Sequence, residues 1–372
     1  MEKSEILRSF LKKGVQLNEE TLDFLYTNPS ILSNVEQLPT EKLPLIITKE
    51  FLKKFTNGES IHPLKLPTTQ SKVSIEDIAS HYTNQYNVIK QVLVNKGLSN
   101  LISISKISAK LHNFSLIGMI TEVKDTIVTL EDNTGIYSFK IDSGLSKYLV
   151  GNEVIGIVCE NTPNSPQIIK VVHPDVELNK EITKTTDEIK ILLTPDPLNL
   201  IKDQSSYKKF LKIVKEQKKV IVIGFNRSEH RKYFGKLSDE ISPHKIILLE
   251  EDSIESSENI MTFRYPTLLD ISGVKVFLSG GKFLNYYRDK WNMDSGRALI
   301  NLIKKRNLNP SHNILDNNTY LLDIIPDIMI LISDENRSLN YKGITIIITD
   351  PTTHMLWSID LKTRETFKID LS

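Results

Sequence analysis

The sequence predicts a multidomain protein: an N-terminal helical unit, then a small β-barrel, then an α/β domain. Three observations predict it. Apolar residues recur at helical spacing over the first 56 positions, short alternating runs fill 101–182, and strands alternate with helices from 186 onward. The 372 residues are enough for two or three separate cores. The boundaries read as a helical docking domain at 1–56, a linker at 57–73, a connector helix at 74–100, a barrel at 101–182 and the α/β domain at 183–372.

In the first unit, Ile6, Leu7, Phe10 and Leu11 mark one helix, and Leu22, Phe24 and Leu25 mark a second. Thr48 is placed to cap a third containing Phe51 and Leu52. Gly58, Pro63, Pro67 and Ser71 give 57–73 the character of a linker. Ser74 and Asp77 form a capping-box pattern for a helix that runs to about Lys96, before Gly97.

The barrel follows from strand order. Ser115–Glu122 alternates around Gly118, Ile127–Leu130 follows a tight turn at Lys124–Asp125, and Asp132-Asn133-Thr134-Gly135 turns the chain into Tyr137–Ile141. A short helix near Leu145–Leu149 precedes strands at Val154–Glu160 and Gln167–Val172. Three strands, a helix and two strands is the order of an OB-fold β-barrel. In the α/β domain, all-apolar runs such as VIVI at 220–223 and KIILL at 245–249 predict strands buried on both faces.

Composition narrows the function classes. A formal charge of +1 argues against bulk electrostatic attachment to nucleic acid. One cysteine, Cys159, excludes a disulfide framework and a multi-cysteine zinc site within the chain, and its apolar neighbours predict an inert, buried thiol. The charged start (Glu2, Lys3, Glu5) does not read as a signal peptide, and no apolar run approaches the roughly 20 residues of a membrane span, so the expected location is cytoplasmic, with no membrane partner.

Several strings, in their order, resemble the small subunit of archaeal family-D DNA polymerase and, more distantly, the B subunits of eukaryotic replicative polymerases. They are residues 101–135 with Ile117-Gly118-Met119, SGVKVFLSGGKFL at 272–284, LIKKRNLNP at 302–310, Pro326-Asp327, and Tyr341-Lys342-Gly343-Ile344. The resemblance covers about 100–372. It implies an OB-fold followed by an α/β calcineurin-like phosphoesterase domain, and a large catalytic subunit of a DNA polymerase as partner.

In that family the phosphoesterase site holds two metals through Asp, His and Asn at strand ends, a chemistry that needs several such ligands to converge. Carried over by motif, the ligand positions here are Pro195 and Pro197 beside Asp196, Phe225, then Glu251, Asp252 and Ser253, then Gly280, then Ser333 and Glu335. Proline, phenylalanine and glycine side chains offer no metal ligand. The domain therefore reads as degenerate, with no catalytic residue, no metal and no cofactor, and with Glu250, Glu251, Asp252, Asp334 and Glu335 splayed and solvated. The eight histidines show no close ligand spacing, and Gly280-Gly281-Lys282 lacks the spacing of a phosphate loop.

The barrel region carries seven lysines against ten acidic residues, which disfavours autonomous strand binding. DNA contact, indirect or through a weak basic patch, falls to Lys282, Arg288, Lys290, Lys304, Lys305 and Arg306. Three functions remain: a non-catalytic scaffold subunit of a replicative polymerase, a metal-dependent 3′–5′ exonuclease subunit, and a free OB-fold single-stranded nucleic-acid-binding protein.

Overall fold

A computed structural model describes residues 3–27, 32, 35–36, 43–48, 51–52, 60–67, 74–162, 165–225, 231–250, 259–310 and 317–372. At the N-terminal end, α1 (Lys3–Lys12), β1 (Gln16–Leu17), α2 (Glu19–Thr27) and β2 (Ile46–Ile47) surround a small core of Ile6, Phe10, Leu25, Ile47 and Leu52. Thr48 Oγ1 accepts from Phe51 N at 3.3 Å, as the expected cap requires.

Part of the stretch read as linker is a strand. β3 (Ile61–Lys65) pairs antiparallel with a strand 200 residues downstream, with Ile61 opposite Ile271 and buried. It lies at the edge of its sheet, where Pro63 and its missing N–H are tolerated. Residues 57–59 and 68–73 of that stretch lie outside the described residues.

The connector is α3 (Ile75–Val94), opened by the capping box between Ser74 and Asp77. It lays Tyr86, Ile89 and Leu93 against Ile117 and Val154 of the barrel, and Tyr86 donates to Ile117 O at 3.2 Å.

The barrel is closed by β4 (Asn113–Lys124), β5 (Ile127–Asp132), β6 (Gly135–Ile141), β7 (Val154–Asn161) and β8 (Pro166–Val172), in the order β4-β5-β6-β8-β7. A short helix, α4 (Ser143–Ser146), joins the third strand to the fourth. Asp132 shapes the hairpin turn: one carboxylate oxygen accepts from Thr134 N at 2.7 Å and Gly135 N at 3.1 Å, and the other accepts from Ile104 N at 2.9 Å. Cys159 is fully buried in the barrel core, and burial pushes its thiol up to about 12, so it stays a thiol.

The rest of the chain builds a four-layer sandwich. Its elements are β9 (Lys190–Leu193), α5 (Pro197–Lys202), α6 (Gln204–Lys215), β10 (Val220–Phe225), α7 (Arg231–Ile241), β11 (Lys245–Glu250), β12 (Ile260–Arg264), β13 (Thr267–Ile271) and β14 (Val274–Gly280). They continue with α8 (Lys282–Trp291), α9 (Ser295–Lys304), α10 (Asn317–Tyr320), β15 (Ile328–Ile332), β16 (Arg337–Tyr341), β17 (Ile344–Thr349), β18 (Met355–Asp360) and β19 (Thr366–Asp370). One sheet has the order β12-β11-β10-β9-β18-β19 and the other β16-β17-β15-β14-β13-β3.

Ile191, Ile221, Ile223 and Ile247 of the first sheet meet Leu269, Val276, Leu278 and Ile330 of the second in one inner core. On the outer faces, α6 and α7 cover Leu192, Val222 and Leu248, while α8 and α9 cover Phe277, Met329 and Ile346. Both faces of the central strands are therefore buried, which is why they read as unbroken apolar runs.

Candidate functional site: the ends of the sandwich strands

Strand register brings the described ligand positions to one end of the sandwich. Phe225 ends β10 opposite Leu249, and Thr194 follows β9, donating its N–H to Ile223 O at 3.0 Å. In the other sheet Gly280 ends β14 opposite Ile332, and Ile332 is opposite Thr349. The loops after β9 and β17 meet across the sheets through Asp196 N and Pro351 O at 2.7 Å. A crevice at the carboxyl ends of α/β strands is where such folds place a site.

Among the described residues, apolar and structural side chains line much of that end. Phe225, Met261 and Tyr265 pack half-buried on the inner core, and the ring of Tyr265 covers Gly280. Pro195 is buried, and Pro197 opens α5. Gly281 must be glycine, because a β-carbon would stand 2.2 Å from Ile332 O. Its N–H donates to that oxygen at 2.6 Å, so Gly280-Gly281-Lys282 is a tight exit from β14 into α8.

The loop after β15 is held by an amide. Asn336 Oδ1 accepts from Asp350 N at 3.2 Å and Trp357 Nε1 at 3.3 Å, and Asn336 Nδ2 donates to Thr353 Oγ1 at 3.0 Å. Ser333 donates to Asp334 at 3.0 Å, and that bond together with Arg288 holds the Asp334 carboxyl below its ordinary value. Glu335 keeps one buried carboxylate oxygen without a hydrogen bond. Among the described residues, no three His, Cys, Asp or Glu side chains are grouped to hold a metal ion. Glu251, Asp252 and Ser253 lie outside the described residues, as does the side chain of Glu250.

The basic residues assigned to DNA contact do not form one surface. Lys282 and Lys290 are exposed, with Lys290 over the Tyr286 ring at 5.7 Å, but Arg288 is paired with Asp334 at 3.2 Å. Lys304 is half-buried and borders a cleft of about 300 Å³ with Tyr148, Met293 and Arg297. Lys305 and Arg306 correct the sequence reading, because both are buried and neither can face a polyanion. Lys305 Nζ meets Glu153 Oε2 of the barrel at 2.5 Å, and Glu153 Oε1 accepts from Val150 N at 2.9 Å. Burial pushes the Glu153 carboxyl up and the Lys305 ammonium down, and each is opposed by the charge of the other. Arg306, left-handed at φ 51°, donates to Asp175 O at 3.2 Å.

These contacts belong to a seam between barrel and sandwich that the sequence did not reveal. Asp175, just after β8, accepts from Tyr341 Oη at 2.9 Å and Lys342 Nζ at 2.6 Å, and its backbone N–H donates to Lys304 O at 2.8 Å. Asp327 pairs with Lys180 and accepts from Lys275 N at 2.9 Å, while Arg364 ties its carbonyl to Thr345. Pro326-Asp327 and Tyr341-Lys342, two of the strings that carry the family resemblance, thus serve here as structural anchors. No sequence signal marks these pairs, since their members are distant in the chain.

No protein-family profile and no curated protein matches the sequence. Among solved structures, TT1561 of Thermus thermophilus is similar at a TM-score of 0.30 and 11% identity, over 50% of this chain and 100% of that one. A single mutant of Vps29 from Entamoeba histolytica is similar at a TM-score of 0.28 and 11% identity, over 49% of this chain and 98% of that one. Scores this low do not identify a shared fold, and the architecture stands on its own strand order.

Proposed function

We propose that this chain is a non-catalytic scaffold subunit of a replicative DNA polymerase, made of an OB-fold fixed to a metal-free phosphoesterase-like sandwich, and that its partner is the polymerase's large catalytic subunit. The observation that carries the reading is the apolar lining of the strand end among the described residues. Phe225, Tyr265 and Gly280 occupy the place where a two-metal hydrolase needs converging carboxylates and imidazoles. The seam through Glu153–Lys305 and Asp175 supports a rigid two-lobed body, which suits a dock more than a moving catalyst. Among the described residues no helix is long and apolar enough to cross a membrane.

Two measurements test this. Light scattering after size exclusion, with the large subunit added, is expected to show a stable heterodimer burying about 2,000 Å² or more. Hydrolysis of a labelled single strand in saturating manganese is expected to be absent. Turnover that disappears in Glu251→Ala/Asp252→Ala would overturn the non-catalytic reading, and a chain that stays monomeric would overturn the scaffold reading.

A further inference from the structure

The outer face of α6 holds the densest positive charge that the sequence reading left unused. Residues 202–219 contain seven lysines and two acidic residues, in a chain whose total is only +1. Folding puts the charge on one surface. Phe210 and Val214 of α6 are buried on the sheet, and Lys202, Lys208, Lys209, Lys212, Lys215 and Lys218 are exposed. Lys208, Lys212 and Lys215 follow the i, i+4, i+7 rule of a single helical face, spread over about 10 Å at 1.5 Å per residue.

Lys218 lies 3.9 Å from Glu188 and Lys209 meets the C-terminal Ser372 oxygen, but the two acids of the segment neutralise little of the rest. Asp203 is spent as the helix cap, accepting from Ser205 N at 3.0 Å and from Ser206 Oγ at 2.6 Å. Glu216 reaches Lys212 only at 3.9 Å, and both are exposed. Lys202, Lys208 and Lys215 make no ion pair among the described residues.

We infer that this face binds the phosphate backbone of duplex nucleic acid, independently of sequence. A row of flexible ammonium groups on a convex helix matches closely spaced phosphates, and such contacts position without reading bases. A single strand is disfavoured because the patch has no stacking platform: Tyr207, the aromatic next to it, is half-buried and gives its hydroxyl to Glu240 at 3.0 Å. A membrane is disfavoured because the apolar side of α6 is already spent on the core. Phosphate binding by this face needs no partner subunit.

Fluorescence anisotropy of the full chain with a labelled duplex of about 25 base pairs tests it. Three to four contacts predict binding at 50 mM salt that weakens roughly 40- to 150-fold by 200 mM. Lys208→Gln/Lys212→Gln/Lys215→Gln should lose at least tenfold at 50 mM and lower the salt slope by about three. Lys106→Gln/Lys140→Gln, exposed on the barrel, should change affinity less than twofold. Circular dichroism should show both variants folded; if the triple variant is not, Lys208→Gln alone should lower the slope by about one. Equal binding by native and substituted chains would overturn the proposal. So would tighter binding of the single strand, of polyglutamate or of anionic vesicles than of the duplex.

Discussion

The ring of Tyr265 stands 2.9 Å from the point where a β-carbon on residue 280 would begin, so the glycine and the tyrosine specify each other across the two sheets. Gly280→Ala should therefore cost about 1–3 kcal/mol through overpacking. Tyr265→Ala/Gly280→Ala should recover part of that cost relative to the sum of the single changes, a coupling that urea unfolding can measure. Additivity would mean that the ring moves aside freely.

Phe225 closes β10 on the inner core. Phe225→Asp restores a carboxylate at a ligand position but sets it among apolar neighbours. We expect a loss of about 1–3 kcal/mol, not relieved by manganese. Stabilisation by millimolar manganese in a thermal melt would show that a metal site reforms around the new carboxylate.

Lys305 and Glu153 sit in the seam with side chains 2% and 0% exposed, so removing one partner strands a buried charge. Lys305→Met should cost about 3–5 kcal/mol, while Glu153→Leu/Lys305→Met should be far milder. Chemical denaturation followed by limited proteolysis between barrel and sandwich would check both the magnitude and the place of opening.

His173, at the same seam, has its pKa pushed down to about 3, by burial first and then by Lys305 and Lys304. Folded, it stays neutral over a range where the unfolded chain, with its ordinary value near 6.5, takes a proton. The contribution is thus full above about 6.5 and is lost as pH falls from there towards about 3, by up to about 1.4 kcal/mol per pH unit. His173→Gln should flatten that part of the stability profile relative to the native chain. Parallel profiles would show that the imidazole titrates freely.

Local pattern carried much of the fold. The capping box at Ser74, the turn at Asp132, the five barrel strands and the doubly buried runs VIVI and KIILL all follow from neighbours in sequence. Lys305 and Arg306 were misread because a lysine at a helix end looks solvated unless its counter-charge is visible, and Glu153 lies 152 positions away. The α6 lysines went unread for the converse reason, since total charge averages a concentrated face into a neutral chain. At the strand ends the identities of Pro195, Phe225 and Gly280 were legible, whereas the tyrosine that packs over Gly280 comes from a strand end in the opposite sheet.

β3 gives this architecture an order in time. Its partner β13 is made roughly two hundred residues later, after the whole barrel has left the ribosome. Until then a strand with exposed Leu64 and a neighbouring exposed Leu66 has no mate, a state open to mispairing. The ribosome thus releases the first edge of the second sheet before most of the sandwich exists. Synthesis leaves a long interval in which β3 is held only by the chain, and the final fold closes over it from behind.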